Sequence, residues 1–156
     1  MGTTESILST FEPLLAAAEG LDLNDPAAAM SELEKRFPWD GEEARALKTE
    51  LAHLRESGRI CDRGELPMCW GRVTKALPES REFSIDVVLM NGAGPQHKHP
   101  EGEVNFCVAT EGEPTFDGHA PGWVVFPPNS VHVPTVAGGM MMIVYLLPNG
   151  AMEFVK

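Results

Sequence analysis

Apolar positions in the first third of the chain recur at helical spacing. Ile7, Leu8, Phe11, Leu14, Leu15 and Ala18 fall on one stripe, and Pro13, which has no amide donor, is expected to break that helix or delay its start. Asp25 followed by Pro26 supplies an N-cap and first-turn pair for a second helix running to about Phe37. Asp40 with Glu43 resembles a capping box for a third helix, with a stripe of Ala44, Leu47, Leu51 and Leu54 and a stop at Gly58. His53 falls well off that stripe and reads as a solvated helix histidine.

After Gly58 the period changes. Short apolar or β-branched runs occur around residues 67 to 74, 83 to 90, 103 to 109, 123 to 126, 131 to 136 and 140 to 147, punctuated by Gly, Pro and Asn. Such spacing is that of an all-β sandwich or barrel. No internal repeat, low-complexity tract or long linker interrupts it. The expected fold is therefore mainly β: residues 1–58 form an N-terminal helical extension, packed on the barrel or at a dimer interface, and residues 59–156 form the β-barrel.

A chain of 156 residues suits one domain with a core of its own. With 12 Lys plus Arg against 23 Asp plus Glu, the formal charge of -11 disfavours nucleic acid and acidic lipid as partners. A small molecule is expected instead, and an anionic one needs a local arginine to overcome the overall field. Cys61, Cys69 and Cys107 are odd in number and lack zinc-like spacing, so they read as reduced cytosolic thiols. No apolar run is long enough to span a membrane. The opening "MGTTES" fits the permissive myristoylation pattern, but no basic patch follows it, and a cytoplasmic protein is expected.

Chemistry concentrates in "GPQHKHPEGEVNF". On a strand, side chains two apart share a face, so His97 and His99 point the same way. Pro100 and Gly102 supply a turn, after which Glu103 opens a strand that places Glu103, Asn105 and Cys107 on one face. A fourth ligand is offered by "GWVVFPPNSVHVPT", where Pro127, Pro128 and Asn129 suit a turn with Asn at positive φ, and His132 follows. Three imidazoles and a carboxylate suit one divalent ion: Fe, Mn, Ni or Zn.

Here the chain resembles the cupin superfamily. His97, His99 and Glu103 meet its first motif, H-x-H-x3-E. Pro127, Asn129 and His132 match the second, P-x-G-x2-H, with Asn in place of Gly. The segments "HPEGE", "FDG", "GWVV", "SVHVPT" and "YLLPNGAMEF" further resemble the family of small cupin-like proteins that includes 4-hydroxylaminobenzoate lyase. The resemblance implies a jelly-roll β-barrel, a homodimer and a lyase that turns 4-hydroxylaminobenzoate into 3,4-dihydroxybenzoate, releasing ammonia. Two other classes share the same ligands: a cupin dioxygenase or isomerase acting on a small aromatic acid, and a non-catalytic small-ligand sensor.

Supporting roles are read with a plainer alternative beside each. Glu101 is a candidate proton shuttle or a solvated turn carboxylate; His119 is a loop acid or base, or a surface histidine. Tyr145 is a catalytic hydroxyl or a core residue with its hydroxyl at the rim. Trp70 and Trp123 frame an aromatic substrate or fill the core, and Cys107 lines the cavity or packs as a small hydrophobe. Arg72 and Arg81 are candidates for the substrate carboxylate, or else exposed ion pairs. Met140 to Met142 read as core and interface filling.

Overall fold

The computed structural model describes residues 3–155, with side chains from Ile7 onward. The myristoylation pattern, which depends on the first two residues, lies outside them. The helices are α1 (Thr3–Ala18), α2 (Pro26–Arg36) and α3 (Glu42–Glu56). The strands are β1 (Arg63–Glu65), β2 (Met68–Thr74), β3 (Phe83–Met90), β4 (His97–His99), β5 (Glu103–Phe116), β6 (Gly122–Phe126), β7 (Ser130–His132), β8 (Val136–Pro148) and β9 (Glu153–Phe154).

α1 runs through Pro13 without a break, contrary to expectation. An interior proline costs about 3 kcal/mol. Phe11, Leu14 and Leu15 are all fully buried, and at about 1.5–3 kcal/mol each their burial outweighs that loss. α2 starts as the sequence suggests: the Asp25 carboxylate accepts the Ala28 amide at 3.2 Å, and Pro26 occupies the first turn. α3 starts later than the Asp40 capping box implies. The Gly41 amide is spent on the Pro38 carbonyl, so the chain is still turning at Asp40; Gly41 becomes the N-cap and makes no side-chain hydrogen bond. The helix closes with Gly58 N–H on Arg55 O and Arg59 N–H on Leu54 O, at 3.0 and 2.9 Å, the paired bonds of a Schellman stop.

The strands form two antiparallel sheets, six-stranded in the order β1-β2-β3-β8-β5-β6 and three-stranded in the order β7-β4-β9. The large sheet alternates cleanly. Its outer face carries Ile85, Val87, Val104, Phe106, Trp123, Val125, Val144 and Leu146, which share one hydrophobic cluster with the three helices. Its inner face carries Val88, Cys107, Val124, Ile143 and Tyr145, which form a second cluster. The small sheet faces this inner side.

The architecture is a mainly β, jelly-roll-like sandwich, with no ladder closing the two sheets into a continuous barrel among the described residues. The crossings explain the opening. The chain passes between sheets at Pro100 and again at Pro127-Pro128, where prolines have no N–H to donate to a ladder. No described helix is long and apolar enough to cross a membrane.

Candidate metal centre

β4 is the middle strand of the small sheet, and its pleat turns His97 and His99 inward while Lys98 faces out. β7 pairs with it so that His132 stands directly opposite His97. The turn that follows β4 closes with the Gly102 amide on the His99 carbonyl at 3.1 Å and delivers Glu103 to the first position of β5, on the large sheet. Gly102 has φ +88, and a Cβ there would meet Leu23 and the Phe126 carbonyl at 2.9 Å. Only glycine lets the chain change sheets this tightly. On the other side, Asn129 adopts φ 68, as its place in the second motif requires, and its amide donates to the His99 carbonyl at 2.7 Å. The two motifs are thus tied together through the backbone.

The result is convergence. One donor atom each from His97, His99, Glu103 and His132 lies within 4.8 Å of all the others. The Nε2 of His132 is 3.1 Å from that of His97 and 3.0 Å from that of His99. Glu103 Oε2 is 3.2 Å from His99 Nε2, and Oε1 is 3.8 Å from His132 Nε2. His97, His99 and Glu103 are buried, and the His132 side chain is 12% exposed.

These contacts fit a cation. His132 Nδ1 lies 2.5 Å from Asp117 Oδ2, a hydrogen bond in which the carboxylate accepts, and this turns Nε2 of His132 inward. Burial holds His97 down at about 4 and His99 at about 3, with His132 next to them pushing the same way. Both rings are therefore neutral and aim lone pairs at the same point. Burial pushes Glu103 up to about 7, against the hydrogen bond from Asn105. Among the described residues its Oε2 has no hydrogen-bond partner, since the 3.2 Å approach of His99 Nε2 to Oε2 lacks hydrogen-bond geometry. Buried lone pairs of this kind are costly unless satisfied. A divalent ion held between Oε2 and the inward-facing Nε2 atoms would satisfy them, and would reverse the charge balance that raises the Glu103 pKa.

Two residues that supply support were not assigned roles from sequence. Asn105 Nδ2 donates to Glu103 Oε1 at 2.9 Å and to the Val124 carbonyl at 3.2 Å. Asp117 holds His132 with Oδ2 and the Thr135 amide with Oδ1, the latter at 2.8 Å. This is the carboxylate–imidazole pairing that fixes tautomer and ring orientation at metal sites. The "FDG" segment marked Asp117 by resemblance, but not its role.

A cavity of about 660 Å³ opens from His97 between the two sheets. Met68, Val88 and Tyr145 form its walls, with Trp70, Arg72 and Phe154 nearer the mouth. Tyr145 is 4% exposed; burial, then the neighbouring Glu103, push its pKa upward, and its hydroxyl has only Met90 Sδ as a hydrogen-bond partner, at 3.8 Å. Trp70 is 44% exposed. Arg72 forks onto Asp86 at 3.0 and 3.3 Å.

The other candidates lie elsewhere. Trp123 is on the outer face, where its Nε1 donates to the Phe37 carbonyl at 2.9 Å and its ring packs against Phe37 and Phe106. Arg81 is claimed by Glu12 of α1 and by Glu19 just past its end and borders a separate pocket of about 240 Å³. Glu101 is exposed and accepts from Asn149 Nδ2 at 2.7 Å. His119 is exposed in the β5–β6 turn, edge-on to Phe126. Cys107 is fully buried in the inner cluster, where burial pushes its thiol well up. His53 is exposed on α3.

Residues 14–154 match a family described as PnbB, 4-hydroxylaminobenzoate lyase. A 4-hydroxylaminobenzoate lyase from Nocardioides sp. (strain LMS-CY) is 31% identical over 91 residues, covering 53% of this chain and 54% of that protein. The chain thus spans about half the length of that curated relative. Solved structures with partial likeness include a cupin-like protein from Thermotoga maritima, 14% identical with a TM-score of 0.44 over 62% of this chain and 86% of that one. An RmlC-like cupin from Ralstonia eutropha is 16% identical, with a TM-score of 0.44 over 59% and 62%. An oxalate oxidase in complex with the substrate analogue glycolate is 17% identical, with a TM-score of 0.41 over 60% and 59%.

Proposed function

We propose, on the premise that this chain belongs to the 4-hydroxylaminobenzoate lyase family, that it converts 4-hydroxylaminobenzoate to 3,4-dihydroxybenzoate and ammonia. The observation that carries this reading is the meeting of the His97, His99, Glu103 and His132 cluster with an aromatic-lined cavity at His97. The conversion adds one water and needs no net oxidant or reductant, so a single redox-inert site suffices. When bound by those four residues, a divalent ion supplies Lewis acidity, polarising a bound oxygen or lowering the pKa of a bound water.

The chain's own residues do the rest. Met68 and Val88 give an apolar slot that sheds water from a flat ring, and Trp70 offers it an aromatic face at the mouth. Tyr145 keeps its proton at neutral pH because burial raises its pKa. Among the described residues its hydroxyl meets just a thioether, a weak acceptor, so it can donate to a departing oxygen or nitrogen. Asp117 and Asn105 hold His132 and Glu103 in place through the cycle. Arg72 and Asp86 neutralise one another beside Tyr145 and give the slot a polar wall.

The test is anaerobic turnover of metal-loaded protein with 4-hydroxylaminobenzoate, measuring ammonia and 3,4-dihydroxybenzoate together. Equimolar formation of both without oxygen is expected. A strict requirement for oxygen would exclude the lyase and favour a dioxygenase.

A further inference from the structure

We infer that Arg63 anchors the substrate carboxylate at the mouth of the cavity; this rests on the reading above that the substrate is an aromatic acid. Arg63 lines the same cavity as His97. It stands on the edge strand β1 directly across from Trp70, so guanidinium and indole occupy neighbouring places on one face. A carboxylate held there places the ring against Trp70 and sends the opposite substituent down the slot towards His97. That is the orientation a para-substituted acid needs if its nitrogen is to react at the metal centre.

Partnering separates Arg63 from three other arginines of the chain. Arg72 is neutralised by Asp86, Arg81 by Glu12 and Glu19, and Arg36 by Glu32. Among the described residues no carboxylate lies within ion-pairing distance of Arg63. In a chain of net charge -11, an unneutralised guanidinium at a cavity mouth is where an incoming anion gains most. A guanidinium also matches a carboxylate in bidentate geometry, which an ammonium does not.

The platform beside it is fixed. The Trp70 ring lies over Gly64, where an added Cβ would fall 2.1 Å from Cζ3 and 2.7 Å from Cε3 of the ring. The indole is therefore seated on bare backbone next to Arg63 before ligand arrives.

Calorimetric titration with two probes, 4-hydroxybenzoate and its neutral analogue 4-hydroxybenzamide, tests this on wild-type, Arg63→Met, Arg63→Lys and Arg72→Met proteins. Arg63→Met is expected to weaken the acid roughly 10- to 100-fold, the loss of one charge-assisted bidentate contact, and to leave the amide unchanged. Arg63→Lys should fall between, and unaltered amide binding reports an intact fold. Equal losses for both probes, or an acid preference that survives Arg63→Met and vanishes in Arg72→Met, would overturn the assignment. Ammonia release separates this inference from the function it rests on. A wild-type protein that releases ammonia, with a KM unmoved by Arg63→Met, removes the anchor and keeps the lyase. A wild-type protein that prefers the acid through Arg63 yet releases no ammonia keeps the anchor and removes the lyase.

Discussion

The two faces of the large sheet are built from the same strands but held by different forces. Along β5, Val104 and Phe106 point outward into the helix-covered cluster, while Glu103 and Asn105 point inward to the metal centre. Outer positions are held by buried area, which is non-directional and tolerates other apolar residues of similar volume. The polar inner positions are held by a named partner, as Glu103 is by Asn105, and they face His132 of the small sheet, which Asp117 holds. One residue step along a strand therefore separates stability from chemistry, and mutations on the two faces should fail in different ways.

The largest effect is expected at the metal centre, which the inner face closes against the small sheet. His99→Ala should remove bound metal, measured by elemental analysis, and lower activity by more than the 10- to 100-fold typical of a supporting residue. On the outer face, Phe106→Ala should cost about 3–5 kcal/mol of stability in urea denaturation, while the fraction that remains folded keeps its full metal content. Loss of metal in the folded fraction would erase the distinction between faces. Asp117→Asn sharpens it, because a supporting carboxylate should change affinity without changing the fold: about 10- to 100-fold weaker metal binding in chelator competition, with the stability of the chelated protein little changed. Trp123→Phe gives the smallest mutational effect, about 1 kcal/mol from the lost hydrogen bond to Phe37, with kcat/KM unaltered.

The metal centre should also respond to pH once metal is removed. His97 and His99 fall from an ordinary 6.5 to about 4 and about 3 in the fold. Their contribution is thus present above 6.5 and lost as pH falls through the folded values, because the unfolded chain takes up protons that the folded one refuses. Glu103 acts oppositely, rising from 4.5 to about 7, so its contribution is present below 4.5 and lost as pH rises through 7. Below pH 4.5 the histidines are the groups of the metal centre that still drive a change, and urea midpoints of chelated protein should fall steadily there. Flat midpoints from pH 4.5 down to 3 would contradict the burial of these rings.

Much of this division was legible in the sequence. A two-residue spacing is enough to put His97 and His99 on one face, because the strand period is fixed by covalent geometry. The helix stripes and the turn at Asn129 follow from equally local rules. What was not legible depended on contacts distant in the chain. Strand alternation gives two faces to β6 but does not say which is covered by helices, so Trp123 was as plausible a substrate residue as Trp70. Arg81 was indistinguishable from other arginines until α1 and the turn after it brought Glu12 and Glu19 against it. Arg63 drew no notice because β1 has only three residues, too few to show alternation. Asp117 sits 15 residues from His132, in a turn, and no local pattern announces that the two meet. The run of α1 through Pro13 went unforeseen because tertiary burial outweighs a local penalty.

X-ray absorption at the edge of the metal carried by the purified protein is the most direct test of the central claim. A first shell of nitrogen and oxygen dominated by imidazole, with no sulphur, is expected for wild type and should be lost in His132→Ala. A sulphur-containing shell, or full ammonia release by protein without stoichiometric metal, would contradict it.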